Sequence, residues 1–373
     1  MNRKINFLVL VTVMVAFFSS CSNNDVYDPT KAADSKKAQY EAAFIKKYGA
    51  ISPDQDWGFG ENPTTRVANP NSNQWKDFTE VPKDITAAEK EKVTEWFKTH
   101  KNPTSIAINW SDFFVQHVSS SHANMDYLVA VLPNGDNDHI NNFNSSNGVI
   151  MLIQKSGTSK FGYNNTLDGK IHYNYTIQYI DGAYYVGFDF EATGQNPNQQ
   201  EAADSYYSDW IVKITPAKYT NARRIMAEDL GEVGDFDFND VVFDAAIVEG
   251  GDAVITLLAA GGTLPLYIGG ESAENEVHNR LGVSTGTMVN TAVGKHQNIP
   301  PVMFRLTGYA NKTIIDIPIT VNGITLKAET GKAPGKLSVP TTVEWANETQ
   351  AIDNRYPQFK DYVNNPEIDW WEE

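Results

Sequence analysis

Two kinds of hydrophobic pattern divide this chain. Over residues 33–48 the apolar positions Tyr40, Phe44 and Tyr48 recur every four residues, and Gly49 stands where a left-handed cap belongs, so a short amphipathic helix is expected. A second helix is signalled more fully. Thr86 and Glu89 have capping-box spacing, Val93, Trp96 and Phe97 form an apolar stripe, and Asn102-Pro103 stops it. From about residue 105 the texture changes to short apolar and aromatic runs, among them Phe113-Phe114-Val115, Tyr127-Leu128-Val129-Ala130-Val131, Val149-Ile150-Met151-Leu152-Ile153, Tyr184-Tyr185-Val186 and Trp210-Ile211-Val212. Asp168-Gly169, Asp181-Gly182 and Gly250-Gly251 fall between such runs, and each is a hairpin signal. Helical stretches return briefly at residues 274–281 and near the C terminus. The pattern predicts a mainly β fold: an antiparallel β-sandwich-like domain over residues 105–373, preceded by a small helical lead module over residues 33–104.

The first twenty residues read differently. The basic pair Arg3-Lys4, an apolar run over residues 5–18 and small Ser19-Ser20 before Cys21 make a secretory signal over residues 1–20, too short in its apolar part to cross a bilayer comfortably. Phe18-Ser19-Ser20-Cys21 resembles the lipobox of bacterial lipoproteins, which implies cleavage before Cys21 and its acylation as a membrane anchor. Residues 21–32 are then a polar tether. Ser22, where an inner-membrane retention signal would place Asp, points to outer-membrane sorting, with the periplasmic and the surface face both open. Cys21 is the only cysteine, so no intrachain disulfide can form.

Removing the signal takes away Arg3 and Lys4 and no acids, so the formal charge goes from −16 to −18. Such a protein is repelled by nucleic acid and by anionic lipid surfaces, and nucleic-acid binding is set aside. With 373 residues, 41% of them hydrophobic and 12% aromatic, the chain can bury a substantial core. Without disulfides in an oxidising compartment it needs another brace, and a bound cation is one available kind.

The candidate chemistry lies at Glu228-Asp229-Leu230 and Asp235-Phe236-Asp237-Phe238-Asn239-Asp240, just before an apolar strand. Strand alternation would put Asp235 and Asp237 on one side and Phe236 and Phe238 on the other. The apolar phase then slips by one residue, because Val241 and Phe243 carry it, so a turn or bulge is expected at Asn239-Asp240. Two carboxylates about 4 Å apart repel by roughly 4 kcal/mol at an effective dielectric near 20, and a shared cation removes that cost. Glu228, Asp229, Asp235, Asp237, Asn239 and Asp240 are therefore the candidate metal ligands, and oxygen-only donors favour calcium. The segment is not an EF-hand: Asp240 stands at the sixth position, where Gly is required, and Ala246 at the twelfth, where Glu is required. The competing reading is a solvated acidic turn held by Asx hydrogen bonds. Residues 207–212 echo residues 238–243, which would place Asp209 and Asp240 at equivalent strand starts, on neighbouring strands sharing an ion or by chance.

This acidic segment, with Glu276-Val277-His278, Leu281-Gly282-Val283-Ser284-Thr285, Met288-Val289-Asn290-Thr291, Tyr356-Pro357-Gln358-Phe359 and Asp369-Trp370, resembles the LruC-domain envelope lipoproteins over roughly residues 110–373. Gln55-Asp56-Trp57-Gly58-Phe59 is similar to the lead segment common among them. The resemblance implies an exported, lipid-anchored, mostly β protein with calcium at the acidic motif. It supplies no catalytic residues.

Enzyme signals are thin. Gly282-Val283-Ser284-Thr285-Gly286 matches a nucleophile elbow, yet a helical segment precedes it and no acid lies between Ser284 and His296. The seven histidines never form a zincin pair. Asp136, Asp138 and His139 sit in an Asn/Gly-rich loop that reads as a hairpin, with a second cation site or a sugar contact as the alternative. Glycoside hydrolysis needs two carboxylates across a cleft, not several crowded together. The expectation is a non-enzymatic envelope protein, without catalytic residues, binding a glycan or a protein as an adhesion module. A carbohydrate-active hydrolase and a structural component of a surface assembly are the alternatives. Replacing the acylated residue, Cys21→Ala, should release the protein from the membrane fraction or leave the precursor unprocessed, as read by fractionation and blotting.

Overall fold

A computed structural model describes residues 29–60, 83–110, 113–121, 127–133, 143–144, 148–154, 166–167, 171–193, 200–216, 218–231, 234–248, 250–291 and 299–372. Cys21, the signal, most of the tether, the Asp136/Asp138 loop and Gly169 lie outside them. The fold is mainly β with a small helical N-terminal segment. Among the described residues the α-helices are α1 Pro29–Tyr48, α2 Ala87–Thr99, α3 Val277–Leu281, α4 Ile352–Arg355 and α5 Phe359–Tyr362.

The largest sheet has seven strands, in spatial order Lys336–Pro340, Arg223–Ala227, Val241–Ile247, Ala253–Ala259, Val302–Leu306, Asn109–Trp110 and Phe143–Asn144. Its pairs are antiparallel except one, where Asn109 runs parallel to Val302. A six-stranded antiparallel sheet is built on Phe113–Ser120, Trp210–Pro216, Ala183–Thr193 and Ile171–Ile180, with two short strands at its margin. Two smaller sheets are also present among the described residues. The hairpin signals hold where they are described. Asp181 and Gly182, with φ 50° and 82°, form the two-residue turn between Ile171–Ile180 and Ala183–Thr193. Gly250 and Gly251, with φ 91° and 86°, lie in the longer connection between Val241–Ile247 and Ala253–Ala259, where the Val248 amide donates to the Asp252 carbonyl at 2.9 Å.

The two expected helices join different cores. On α1, Tyr40, Phe44 and Tyr48 are buried in the cluster that fills the seven-stranded sheet, and Gly49 (φ 91°) caps the helix end. On α2, Val93 and Phe97 pack with Val118, Ile180, Tyr185 and Ile211 of the six-stranded sheet. The Thr86 hydroxyl accepts from the Glu89 amide at 3.2 Å, the first half of the capping box. The Glu89 carboxylate accepts from Lys213 at 2.6 Å and from the Tyr185 hydroxyl at 2.7 Å, pinning the helix to that sheet.

The Trp57 segment is laid along the outermost strand of the large sheet. Trp57 is fully buried, its indole N–H donates to the Lys332 carbonyl at 2.8 Å, and its own carbonyl accepts from the Ser338 amide at 3.0 Å. Gly58, with φ 79°, lies so close to the Ser338 carbonyl that no side chain fits there.

The aromatic anchor of α1 sets its energetics. Phe44 meets Trp57, Phe236 and Tyr48 at centroid distances of 5.7, 5.4 and 4.8 Å. Deleting such a ring costs about 3–5 kcal/mol. Phe44→Ala should lower unfolding free energy by that amount in urea titration, with exposed Ile45→Ala close to neutral.

Candidate metal centre

The acidic segment does not form an alternating strand. Residues 235–239 lie outside regular structure, and the strand begins at Val241. Phe236 and Phe238 both adopt left-handed backbone, φ 52° and 54°, and so does Leu230, φ 59°. Bulky side chains there cost roughly 1–2 kcal/mol each. The strain is offset by burial: Phe236 packs edge-on against Tyr40, Phe44 and Tyr48 at 5.3, 5.4 and 5.6 Å, and Phe238 against Phe359 at 6.1 Å. The expected turn or bulge before the strand is part of a longer left-handed loop, which turns two phenyl rings into the core.

With the rings inward, the oxygens gather behind them. Glu228, Asp229, Asp237 and Asn239 are buried, while Asp235 and Asp240 are partly so. Much of their capacity goes to backbone amides. Glu228 Oε1 accepts from the Phe238 amide at 2.6 Å. Asp229 accepts from the amides of Gly231 at 2.5 Å and of Thr263 and Leu264 at 3.2 Å each. Asp240 Oδ2 accepts from the Asp229 amide at 2.5 Å, and Asp235 Oδ1 from the Phe236 amide at 2.9 Å. Asp237 takes the amides of Asn239 at 3.3 Å and Thr349 at 2.9 Å. The Asx-turn reading is therefore partly right: several of these groups hold the loop's own backbone.

Electrostatics shows what the amides leave undone. Burial pushes Glu228 and Asp240 well above the ordinary carboxylate range, with neighbouring carboxylates adding to it. Burial, then Asp235, push Asp237 up to about 6. Of the nearby lysines of α1, Lys36 donates to the Gly231 carbonyl at 2.8 Å, and Lys47 donates to the Asp235 carbonyl at 3.3 Å and pairs with Asp353 at 3.5 Å.

One member of the group was invisible in the sequence. Glu348, more than a hundred residues downstream, is pushed up to about 7 by burial and by Asp237, Asp235 and Asp229. The 343–349 segment is held there by Arg224, which forks onto Asp244 at 2.8 and 3.1 Å and donates to the Val343 carbonyl at 2.6 Å. The indole N–H of Trp345 donates to the Asn290 carbonyl at 2.9 Å, and the Glu348 amide to the Thr291 carbonyl at 2.9 Å. No local signal marks Glu348; only the sheet topology brings it in.

Among the described residues, no three His, Cys, Asp or Glu side chains stand together as a ready-made metal-binding group. The six expected ligands therefore share one electrostatic neighbourhood without converging on one centre. Asp209 and Asp240 each stand immediately before a strand, but Trp210–Pro216 lies in the six-stranded sheet and Val241–Ile247 in the seven-stranded one, so the two strands are not neighbours. Ser284 lies in a turn after α3 with its hydroxyl 2.9 Å from that of Thr287, not at a strand-to-helix elbow.

No family model, no curated protein and no solved structure matches this chain. Among the described residues, no helix is long and apolar enough to cross a membrane.

The raised carboxyls fix the sign of a pH effect. Each holds its proton in the folded chain to higher pH than in the unfolded chain, so calcium-free stability falls as pH rises from about 4 to about 7, by about 1.4 kcal/mol per unit of pKa difference. Urea midpoints in chelator at pH 5 and pH 8 should show that fall, and Asp237→Asn should flatten it.

Proposed function

We propose that this chain is a lipid-anchored envelope protein of the LruC-domain kind, held to the outer membrane through Cys21 and facing the periplasm or the surface. Its β domain is braced by calcium at the acidic loop and serves as a non-enzymatic binding or adhesion module for a glycan or a protein. The observation that carries the brace is a crowd of carboxyls, Glu228, Asp237 and Asp240, raised first by burial and then by neighbouring carboxylates. A hard dication relieves that repulsion, and oxygen donors suit calcium. The crowding also speaks against a glycosidase pair, whose carboxyls flank a cleft with room for a sugar.

Calcium at 1 mM, against a dissociation constant near 0.1 mM, would add about 1.4 kcal/mol and raise the melting temperature by a few degrees. Differential scanning fluorimetry should show this shift in the wild type and lose it in Asp235→Ala/Asp237→Ala. An absent shift, or an equal one in the double variant, removes the brace. Glycan-array binding without turnover supports the module; polysaccharide cleavage replaces it with the hydrolase.

A further inference from the structure

Two buried acceptor oxygens lie against one bare stretch of backbone at Gly261. Asn239 is fully buried; its amide N–H donates to the Ala346 carbonyl at 3.3 Å, and its Oδ1 has no hydrogen-bond partner. Glu348 Oε2 is likewise buried and unpartnered, with the buried Thr291 hydroxyl beside the same carboxylate. Both oxygens border Gly261: a methyl group there would collide with Asn239 Oδ1 and stand 2.5 Å from Glu348 Oε2. The Gly261 amide is tied to the Asn239 and Asp240 carbonyls at 3.1 and 3.2 Å, which holds the bare backbone against the two oxygens.

Turning the Asn239 amide over does not resolve the conflict. It would give Glu348 a donor but set the amide oxygen against the Ala346 carbonyl, so an acceptor pair remains in either orientation. Leaving a buried acceptor unmet costs about 1–3 kcal/mol. Water could bridge the pair, but it carries no charge, and Asp229, Asp235 and Asp237 all weigh on Glu348. A cation meets both demands at once.

We propose that Glu348 and Asn239, with Asp237 beside them, form the inner donors of a calcium site closed by Gly261. This deepens the calcium brace and rests on it. It changes the ligand set: the C-terminal segment supplies a carboxylate, and one donor is an amide oxygen, a common calcium ligand. Glu228 and Asp229 then shape the loop through its amides rather than ligate. Any side chain at position 261 would fall on both oxygens.

The test is calcium titration of the mature protein by calorimetry and by melting temperature, comparing wild type with Glu348→Gln. The glutamine removes the charge and brings an N–H to Asn239 Oδ1. Expected are calcium affinity weaker by about tenfold or more and a calcium-free melting temperature equal to or above that of the wild type. A purely structural role for Glu348 would lower the second. If Glu348→Gln does not fold, Glu348→Asp should fold and bind calcium more weakly than wild type. Wild-type calcium binding with unchanged affinity in the folded glutamine or aspartate variant overturns Glu348 as a ligand and leaves the brace standing. No calcium binding by the wild type overturns both, leaving a proton or a water beside the two oxygens.

Discussion

Carboxylates crowded together out of water repel one another, and much of the surrounding structure is a frame that holds them. Phe236 and Phe238 are driven inward by aromatic burial on left-handed backbone, and Asp237 between them joins the carboxylates of Glu228, Asp229, Asp235 and Asp240. The amides of Gly231, Phe238, Thr263, Leu264 and Thr349 then fix those carboxylates one by one. Each such bond favours the charged form, while burial and the neighbouring charges oppose it, and for Glu228, Asp237 and Asp240 the opposition wins.

The frame has three sides. Helix α1 covers the loop with Tyr40, Phe44 and Tyr48, the turn after Ala253–Ala259 brings Gly261 and Gly262 beneath it, and the segment after Lys336–Pro340 closes it with Glu348 and Thr349. The Ile352 amide donates to the Phe236 carbonyl at 2.8 Å, so the C-terminal helices are tied to the same loop. Residues far apart in the chain thus depend on one irregular stretch of six.

Local pattern made the frame's parts legible and left their meeting point hidden. The α1 stripe, the Thr86 cap and the Asp181-Gly182 and Gly250-Gly251 turns are short-range effects, written within a few residues. The acidic motif was visible for the same reason. Its geometry was not, because period-two alternation assumes a strand, and the core claimed both phenylalanines at the expense of regular backbone. Glu348 had no local signature at all; Arg224, Asp244 and the strand order place it. The pairing of α1 and α2 as one lead module reflected their closeness in sequence, whereas the two sheets draw them to separate cores.

The way residues 57–59 lie along Lys336–Pro340 bears on how copies of this protein can meet. A bare outermost strand offers a ladder of free amides and carbonyls on which a foreign chain can extend the sheet. Here Trp57 has taken the Ser338 amide and Gly58 presses on the Ser338 carbonyl. Polymerisation by strand addition at that margin would first have to pry out a fully buried indole.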